Sequence, residues 1–497
     1  MIQNDLTYKL ALDSLKKGQA LDALEFFYQV AQKFPKAPEP YTFIARILNA
    51  QGEHGGALEM AKQAINVFPK FVPAYHEKAK SLKGLSLNEE AGKALEKGLQ
   101  IAPDDQFLLT NMIMYLEQQK KFDKIEPYFK RLKSIAPEAT VTKYAEGLWL
   151  ARTDRYAEAI TVLEAIDNAP SIEGVSSAYL LAEAYDKLKK FDESMAALSK
   201  AKQTQKTLPE TRLYNSQRYL SLLKHILRYD GTLQPLAQNA ESQKISFIVG
   251  FPRSGTTLTG QILQSHPSIT VTDEVQAMGQ LIMSLIAAGK TMPATLYDLT
   301  PEEVTAAREI YWLHQKNDPR FEEADLFVDK MPLNYIYMPL IQILFPASKI
   351  IFCERHPLDT ILSGYMQSFA LNDSMACFLD LADAVEMYCL SMDCWEKHKK
   401  NLSLPVHQFK YEDLVQDFEG EVRKLLDFLG EDWDDEILRF SEKAKENVRT
   451  RTPSHRQITK GIYKTSAFKW KNYSQYLEPY FERINPYVVK LGYDSLL

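Results

Sequence analysis

The sequence predicts two folds in tandem. An all-α superhelix of repeated helix pairs comes first, and an α/β domain with a mostly parallel sheet, built on a phosphate-loop-like turn, follows. Three observations carry this. Proline recurs at 35, 69, 103 and 137, a step of 34 residues. Beyond Ser242, short β-branched runs alternate with helical ones. Residues 248–257, directly after the apolar run Ile245 to Val249, read Ile-Val-Gly-Phe-Pro-Arg-Ser-Gly-Thr-Thr.

The repeats come first in the chain. Each proline follows similar text: Lys33-Phe34, Val67-Phe68, Ile101-Ala102 and Ile135-Ala136. Twelve residues before each proline stand Ala23, Ala57, Ala91 and Ile125, and Ala159 keeps the step; Tyr41 and Tyr75 are also in phase, with Leu109 next. Proline stops the second helix of each pair, and small residues let helices approach closely. One pair cannot bury its own apolar face, so neighbours stack. The pattern resembles tetratricopeptide repeats. About five fit before Pro170, and a degenerate sixth covers Ser177 to Lys202, giving an array over 1–202. Such arrays present a concave surface to a peptide or protein partner. The alternative is that this one packs only on the rest of the chain or on a second copy. Residues 203–243 read as a helical connector, and 244–497 as the second domain.

Bulk properties narrow the function. With 45% apolar and 25% charged residues the chain is ordinary globular protein. A net charge of −6 argues against nucleic-acid binding, which favours a basic excess. Cys353, Cys377, Cys389 and Cys394 form no CxxC pair, so neither a disulfide framework nor a zinc site is expected, and no metal is required. The start Met-Ile-Gln-Asn-Asp-Leu-Thr is unlike a secretory signal. No run approaches the roughly 18 apolar residues of a membrane span. A cytoplasmic protein is expected.

The second domain opens on its loop. Gly250, four residues, Gly255, one residue and the Thr257 hydroxyl have phosphate-loop spacing, but Thr256 stands where such loops carry lysine. Backbone N–H groups at a helix start lack internal partners and favour anions there. Ser254, Thr256 and Thr257 add hydroxyls, and Arg253 adds a forked cation. The expected strands are Ile245–Val249, Ser268–Val271, Leu326–Val328, Lys349–Phe352 and Pro405–Phe409, with helical patterns at Asn334–Phe345, Asp359–Phe369 and Leu379–Lys399. Their ends carry Arg253 to Thr257, Asp273-Glu274, Asp329-Lys330, Glu354-Arg355 and Lys410-Tyr411. Ligands of open parallel sheets bind outside the carboxyl ends of the strands. A crevice holding Arg253, Lys330, Arg355 and Glu274 suits a multiply anionic ligand and an acceptor that must lose a proton.

Taken one at a time, each residue also has a structural reading. Glu274 fits a helix-capping surface carboxylate, Lys330 a solvated loop lysine, and Arg355 a partner for Asp359. Ser363 fits a helix hydroxyl bonded to its own backbone, and Tyr411 core packing. His266, His356 and His455 read as structural.

In order and spacing, however, Pro252-Arg253-Ser254-Gly255-Thr256-Thr257-Leu258, His266-Pro267, Asp273-Glu274, Asp329-Lys330-Met331-Pro332, Arg355 with Ser363, and Lys410-Tyr411-Glu412-Asp413-Leu414 resemble sulfotransferases that use 3′-phosphoadenosine 5′-phosphosulfate (PAPS). The likeness is to tyrosylprotein sulfotransferases and to bacterial proteins joining tetratricopeptide repeats to that domain, and it runs over roughly 244–497. It implies that Arg253, Ser254, Gly255, Thr256 and Thr257 hold the 5′-phosphosulfate and that Glu274 is the base. Lys330 then sits near the bridging oxygen, and Arg355 and Ser363 bind the 3′-phosphate. Tyr411, Ser454 and Lys460 make further cofactor contacts. Asp273 departs from the family's Glu-Glu pair, on the acceptor side. The implied reaction moves a sulfuryl group from PAPS to an acceptor hydroxyl, on a peptide tyrosine, another phenol, a sugar or a lipid, and leaves adenosine 3′,5′-bisphosphate. Two rivals remain: an interaction protein whose second domain is inactive, and a kinase using the same loop, which would want the missing lysine.

Overall fold

In the repeat region the helices keep the sequence period. The computed structural model describes residues 2–85, 87–119, 121–166, 171–230, 244–295, 298–316, 325–446 and 467–497. The chain divides into two compact units, 1–169 with 183–189 and 170–182 with 190–497.

The first unit holds five helix pairs: α1 (Leu6–Lys16) with α2 (Ala20–Lys33), α3 (Pro38–Ala50) with α4 (His54–Val67), α5 (Val72–Gly84) with α6 (Asn88–Ile101), α7 (Gln106–Gln118) with α8 (Glu126–Ile135), and α9 (Thr140–Arg152) with α10 (Tyr156–Glu164). Helices α3, α5, α7 and α9 start 34 residues apart. Helices α2, α4, α6 and α8 each end two residues before a period proline, as the proline ring and its restriction of the preceding residue require. The small positions Ala23, Ala57, Ala91 and Ala159, and Ile125 with them, are all buried. The in-phase tyrosines tie each helix to the turn before it, because Tyr41 and Tyr75 donate their hydroxyls to the Pro35 and Pro69 carbonyls at 3.3 and 2.9 Å.

In the second unit, α11 (Ile172–Lys187, to residue 182), α12 (Phe191–Thr207) and α13 (Ser216–Arg228) precede the sheet. Helix α13 belongs to the core of this unit. Its Leu220, Leu223 and Ile226 are buried in the cluster beneath the sheet, and Lys397 caps its C-terminal end by donating to the carbonyls of Ile226 and Leu227. The strands and the helices up to the last strand that the site draws on are, in chain order, β1 (Ile245–Gly250), α14 (Thr256–Gln264), β2 (Ile269–Asp273), α15 (Ala277–Ala287), α16 (Pro301–Lys316), β3 (Leu326–Lys330), α17 (Met338–Leu344), β4 (Lys349–Glu354), α18 (Pro357–Tyr365) and β5 (Val406–Lys410), and further helices, Tyr411–Gln416 and Phe418–Leu429 among them, follow β5. Helix Leu381–Lys399 lies between α18 and β5.

All five expected strands are present and all pair in parallel, in the order β2-β3-β1-β4-β5. The segment expected as one helix over Asn334–Phe345 instead begins as a 3₁₀ turn, Pro332–Tyr337, before α17. Alternate strand residues feed two cores. Phe247, Val249, Phe327, Ile350 and Phe352 pack with α13, α15 to α17 and Leu381–Lys399. Ile248, Val328, Ile351 and Cys353 face α14 and the later helices. Strand β1 leads to one side of the sheet and β4 to the other, so their adjacent C-terminal ends form a topological switch point, where such sheets bind ligands. All four cysteines are buried and unpaired. No helix among the described residues is long and apolar enough to cross a membrane.

Candidate active site

At the tip of β1 the chain needs glycine twice. Gly250 adopts φ +153°, and a Cβ there would meet the Cys353 carbonyl oxygen at 2.5 Å. Gly255 caps α14 with φ +107°, and a Cβ there would meet Tyr411 Cδ2 at 3.0 Å. The loop thus lies close under β4 and the start of the helix after β5. Thr256 and Thr257 open α14 and are buried. Ser254 Oγ is buried with no hydrogen-bond partner among the described residues, a cost normally offset by a ligand or water.

Arg253 sits inside this loop with φ +77°. Its Nε donates to Ser363 Oγ at 3.0 Å. Arg355, just before α18, donates from one guanidinium nitrogen to the Arg253 carbonyl at 3.2 Å, and its guanidinium lies 4.8 Å from the Tyr411 ring centroid, a cation–π contact. Both arginines are only 9% exposed. Burial first, and then the like charge of Arg355, pull the Arg253 guanidinium down to about 10. It stays charged at neutral pH, so two buried cations lie side by side, an arrangement an anion would stabilise.

Asp359 and Ser363 follow Arg355 at successive helical turns. The Asp359 carboxylate stands 4.0 Å from the Arg355 guanidinium and accepts the backbone N–H groups of Phe468 and Trp470 at 2.5 and 2.8 Å. Burial raises this carboxyl to about 6 against those favourable partners. The pairing of Asp359 with Arg355 was legible from their spacing. Its hold on residues 468 and 470, over a hundred positions away, was not.

Across the crevice, Asp273 and Lys330 end β2 and β3 and are register partners. Lys330 is 1% exposed and so is no solvated loop lysine. Its ammonium forms an ion pair with Asp273 and donates to Glu274 Oε1 at 2.8 Å. Burial acts to lower the Lys330 pKa, but the Asp273 and Glu274 carboxylates prevail and hold it above its usual value. Glu274 has φ +58°, and its N–H donates to the Lys330 carbonyl at 2.9 Å. The next residue back along β3, Asp329, points away: it accepts the Tyr311 hydroxyl at 2.7 Å, and burial pushes it up to about 7.

The structure therefore gathers Arg253, Ser363, Arg355, Tyr411 and Gly255 on one side, and Glu274, Asp273 and Lys330 on the other; Glu274 and Arg253 interact electrostatically across the site. Ser454 and Lys460 lie outside the described residues. His266 is engaged by the fold: Nδ1 accepts the Ser268 N–H at 3.2 Å, which leaves Nε2–H to donate to the Asp432 carbonyl at 2.9 Å. His356 stacks on Trp470, and burial holds its ring at about 4, neutral at ordinary pH.

The chain is similar to known proteins in both of its parts. Residues 246–435 match the model of the Sulfotransferase family. Tetratricopeptide-repeat models match 14–83, 72–105 and 175–207. An uncharacterized protein of Aquifex aeolicus (strain VF5) is 27% identical over 424 residues, 82% of this chain and 54% of its own, so this chain spans about half that relative's length. Protein-tyrosine sulfotransferase A of Caenorhabditis elegans is 26% identical over 266 residues, 50% of this chain and 67% of the relative. Protein-tyrosine sulfotransferase 1 of Danio rerio is 28% identical over 238 residues, 46% and 64% of the two chains.

Proposed function

From a chain that joins tetratricopeptide repeats to a sulfotransferase-family domain, we propose a sulfotransferase that moves a sulfuryl group from PAPS to an acceptor hydroxyl. One observation carries the reading: two buried guanidinium groups and a glycine-turned helix start face a buried lysine whose outer partner is a carboxylate. The donor set fits the cofactor. Loop N–H groups, the Ser254 hydroxyl, unpartnered among the described residues, and paired arginines suit a ligand carrying anionic groups at both ends.

When bound, PAPS supplies the activated sulfuryl group and a phosphate leaving group. Arg253, Ser254, Gly255, Thr256 and Thr257 hold the 5′-phosphosulfate, and Arg355 with Ser363 holds the 3′-phosphate; Tyr411 backs both sides, touching Gly255 and Arg355. Glu274 takes the acceptor proton as the acceptor oxygen bonds to sulfur. The bond from sulfur to the phosphate oxygen breaks, its electron pair stays on that oxygen, and adenosine 3′,5′-bisphosphate leaves. Lys330 and Arg253 stabilise the charge growing there more strongly than in the ground state. Ser454 and Lys460, which the resemblance adds to this set, lie outside the described residues. The names of the animal relatives support a peptide tyrosine as acceptor, and the repeats provide a surface for its carrier.

The test is Glu274→Gln, with labelled PAPS and a tyrosine peptide for turnover and calorimetry for adenosine 3′,5′-bisphosphate. Binding is expected to persist while turnover falls about 10²–10⁴-fold. Wild-type turnover in the variant, or no binding of the bisphosphate by the wild type, overturns the reading.

A further inference from the structure

The placing of two consecutive carboxylates on one ammonium carries a further assignment, which rests on the sulfotransferase reading above. In a strand, successive side chains point to opposite faces. Asp273 and Lys330 are register partners on neighbouring parallel strands and so share a face. Continued extension would send Glu274 to the other face. Instead Glu274 takes φ +58°, its N–H is held by the Lys330 carbonyl, and its Oε1 returns to the Lys330 ammonium. Such a conformation is strained in a non-glycine residue, so the surrounding fold must impose it. The two carboxylates differ in depth: the Asp273 side chain is 9% exposed and that of Glu274 is 33%. One partner of Lys330 is therefore internal and fixed, and the other is at the rim.

We propose that Asp273 is a positioning residue, the permanent counter-ion that keeps Lys330 charged and aimed into the crevice when Glu274 has taken the acceptor proton. At 1% exposure Lys330 cannot rely on water. A buried ammonium left without a partner loses its proton or its position. If Glu274 were the sole counter-ion, neutralising it would strip Lys330 of support at the moment negative charge appears on the leaving oxygen. With Asp273 in place, the acceptor's proton passes to Glu274 while Lys330 keeps its own. Among the described residues, Asp329 on β3 and Cys353 on β4 also interact with the Lys330 charge; Asp329 is turned to Tyr311, and burial holds the Cys353 thiol up at about 12. Neither replaces Asp273.

The experiment compares wild type, Asp273→Asn, Asp273→Glu and Glu274→Gln by calorimetry with adenosine 3′,5′-bisphosphate between about pH 6 and pH 9.5, below the usual lysine range. Wild type, Asp273→Glu and Glu274→Gln are expected to hold their affinity within about threefold across this range. Asp273→Asn is expected to lose about tenfold or more at the alkaline end as Lys330 gives up its proton. A flat Asp273→Asn profile, or a fall in Glu274→Gln instead, overturns the assignment. Failure of the wild type to bind sinks the sulfotransferase reading alone, because a ligand-free arm judges Asp273 separately. In that arm, Asp273→Asn lowers the urea midpoint most near pH 7, the deficit narrows towards about pH 10.5, and Lys330→Met in the same chain restores the midpoint. A pH-independent deficit, or no restoration by Lys330→Met, rejects the counter-ion role. If Asp273→Asn does not fold, folding of the double variant supports the role, and its failure rejects it.

Discussion

Replacing Gly255 by alanine tests how closely the loop, Tyr411 and Arg355 depend on one another. The backbone there has φ +107°, and holding an L-residue in such a region costs about 1–3 kcal/mol. The new Cβ would stand 3.0 Å from Tyr411 Cδ2 and 3.6 Å from Tyr411 Cβ. The ring must retreat, and it carries the Arg355 guanidinium 4.8 Å from its centroid. Disturbing that contact adds about 0.5–1 kcal/mol. The sum is about 1.5–4 kcal/mol, a large part of an ordinary domain's stability. The expected result is a lower urea midpoint for the transition reported by the buried Trp395, and at least about tenfold weaker binding of adenosine 3′,5′-bisphosphate. Adding Tyr411→Leu removes the contact but leaves the backbone strain, so about 1–3 kcal/mol of the stability deficit persists in the pair relative to Tyr411→Leu alone. Refutation is simple to recognise: Gly255→Ala unfolds at the wild-type midpoint, or binds the bisphosphate with wild-type affinity.

Three further outcomes follow from the same geometry. Arg355→Ala weakens adenosine 3′,5′-bisphosphate by about 10- to 100-fold, the worth of charge-assisted hydrogen bonds, while adenosine 5′-phosphate, lacking the 3′ group, is little affected; equal losses for both in calorimetry contradict the 3′-phosphate role. Asp329 is buried, with its carboxyl raised to about 7 from 3.8. The folded state therefore binds the extra proton, and the wild type loses about 1.4 kcal/mol per pH unit between about 4 and 7. Asp329→Asn lacks that decline and gains on the wild type across this window, and urea midpoints that stay parallel refute it. Lys202, 2% exposed, lies 5.0 Å from the rings of both Tyr179 and Tyr365 and donates to the Gln367 carbonyl at 3.0 Å. Burial pulls it down to about 7 from 10.5, so the unfolded chain binds more protons between those values and wild-type stability rises with pH there. Lys202→Met is expected to show no such rise, so its advantage at pH 7 shrinks towards about pH 10 in the same unfolding assay.

Much of this molecule is legible in its sequence because the relevant signals are local or periodic. The 34-residue step fixes where α3, α5, α7 and α9 begin, since each proline ends a helix by its own covalent geometry. The five strands announce themselves by β-branched runs, and strand-end chemistry places Arg253, Arg355, Lys330 and Glu274 about one crevice because parallel strands share a carboxyl end. What stayed hidden depends on contacts between distant segments or on backbone conformations without a sequence mark. Nothing in the text of Asp359 says that it will cap Phe468 and Trp470. Arg253, Glu274 and Phe468 all adopt positive φ without being glycine. Such strain is imposed by tertiary structure and cannot be read from propensity. Likewise Ser216–Arg228, an amphipathic helix that reads as a connector, buries Leu220, Leu223 and Ile226 in the core of the second unit. Its apolar stripe was visible; its partner, helix Leu381–Lys399, lies too far along the chain to be inferred.

The replacement of the loop lysine by Thr256 then has a structural consequence. In a loop that carries its own lysine, the cation moves with the loop and is independent of any base. Here the charge proposed for that role comes from the end of β3, in register with Asp273, the residue beside the proposed base. Cation and base are thereby tied by one strand pairing and one ammonium, Lys330, which pairs with both Asp273 and Glu274. A shift in the β2–β3 register by one residue would turn Asp273 to the opposite face and separate the pair. Every residue of β3 is buried, as are four of the five in β2, and register is strongly specified wherever a strand's faces are buried. Placing the cation there makes the distance between the proposed proton acceptor and the proposed charge stabiliser a property of the core rather than of a loop. That is the geometry a reaction needs when proton removal and leaving-group departure must be served from fixed positions at once.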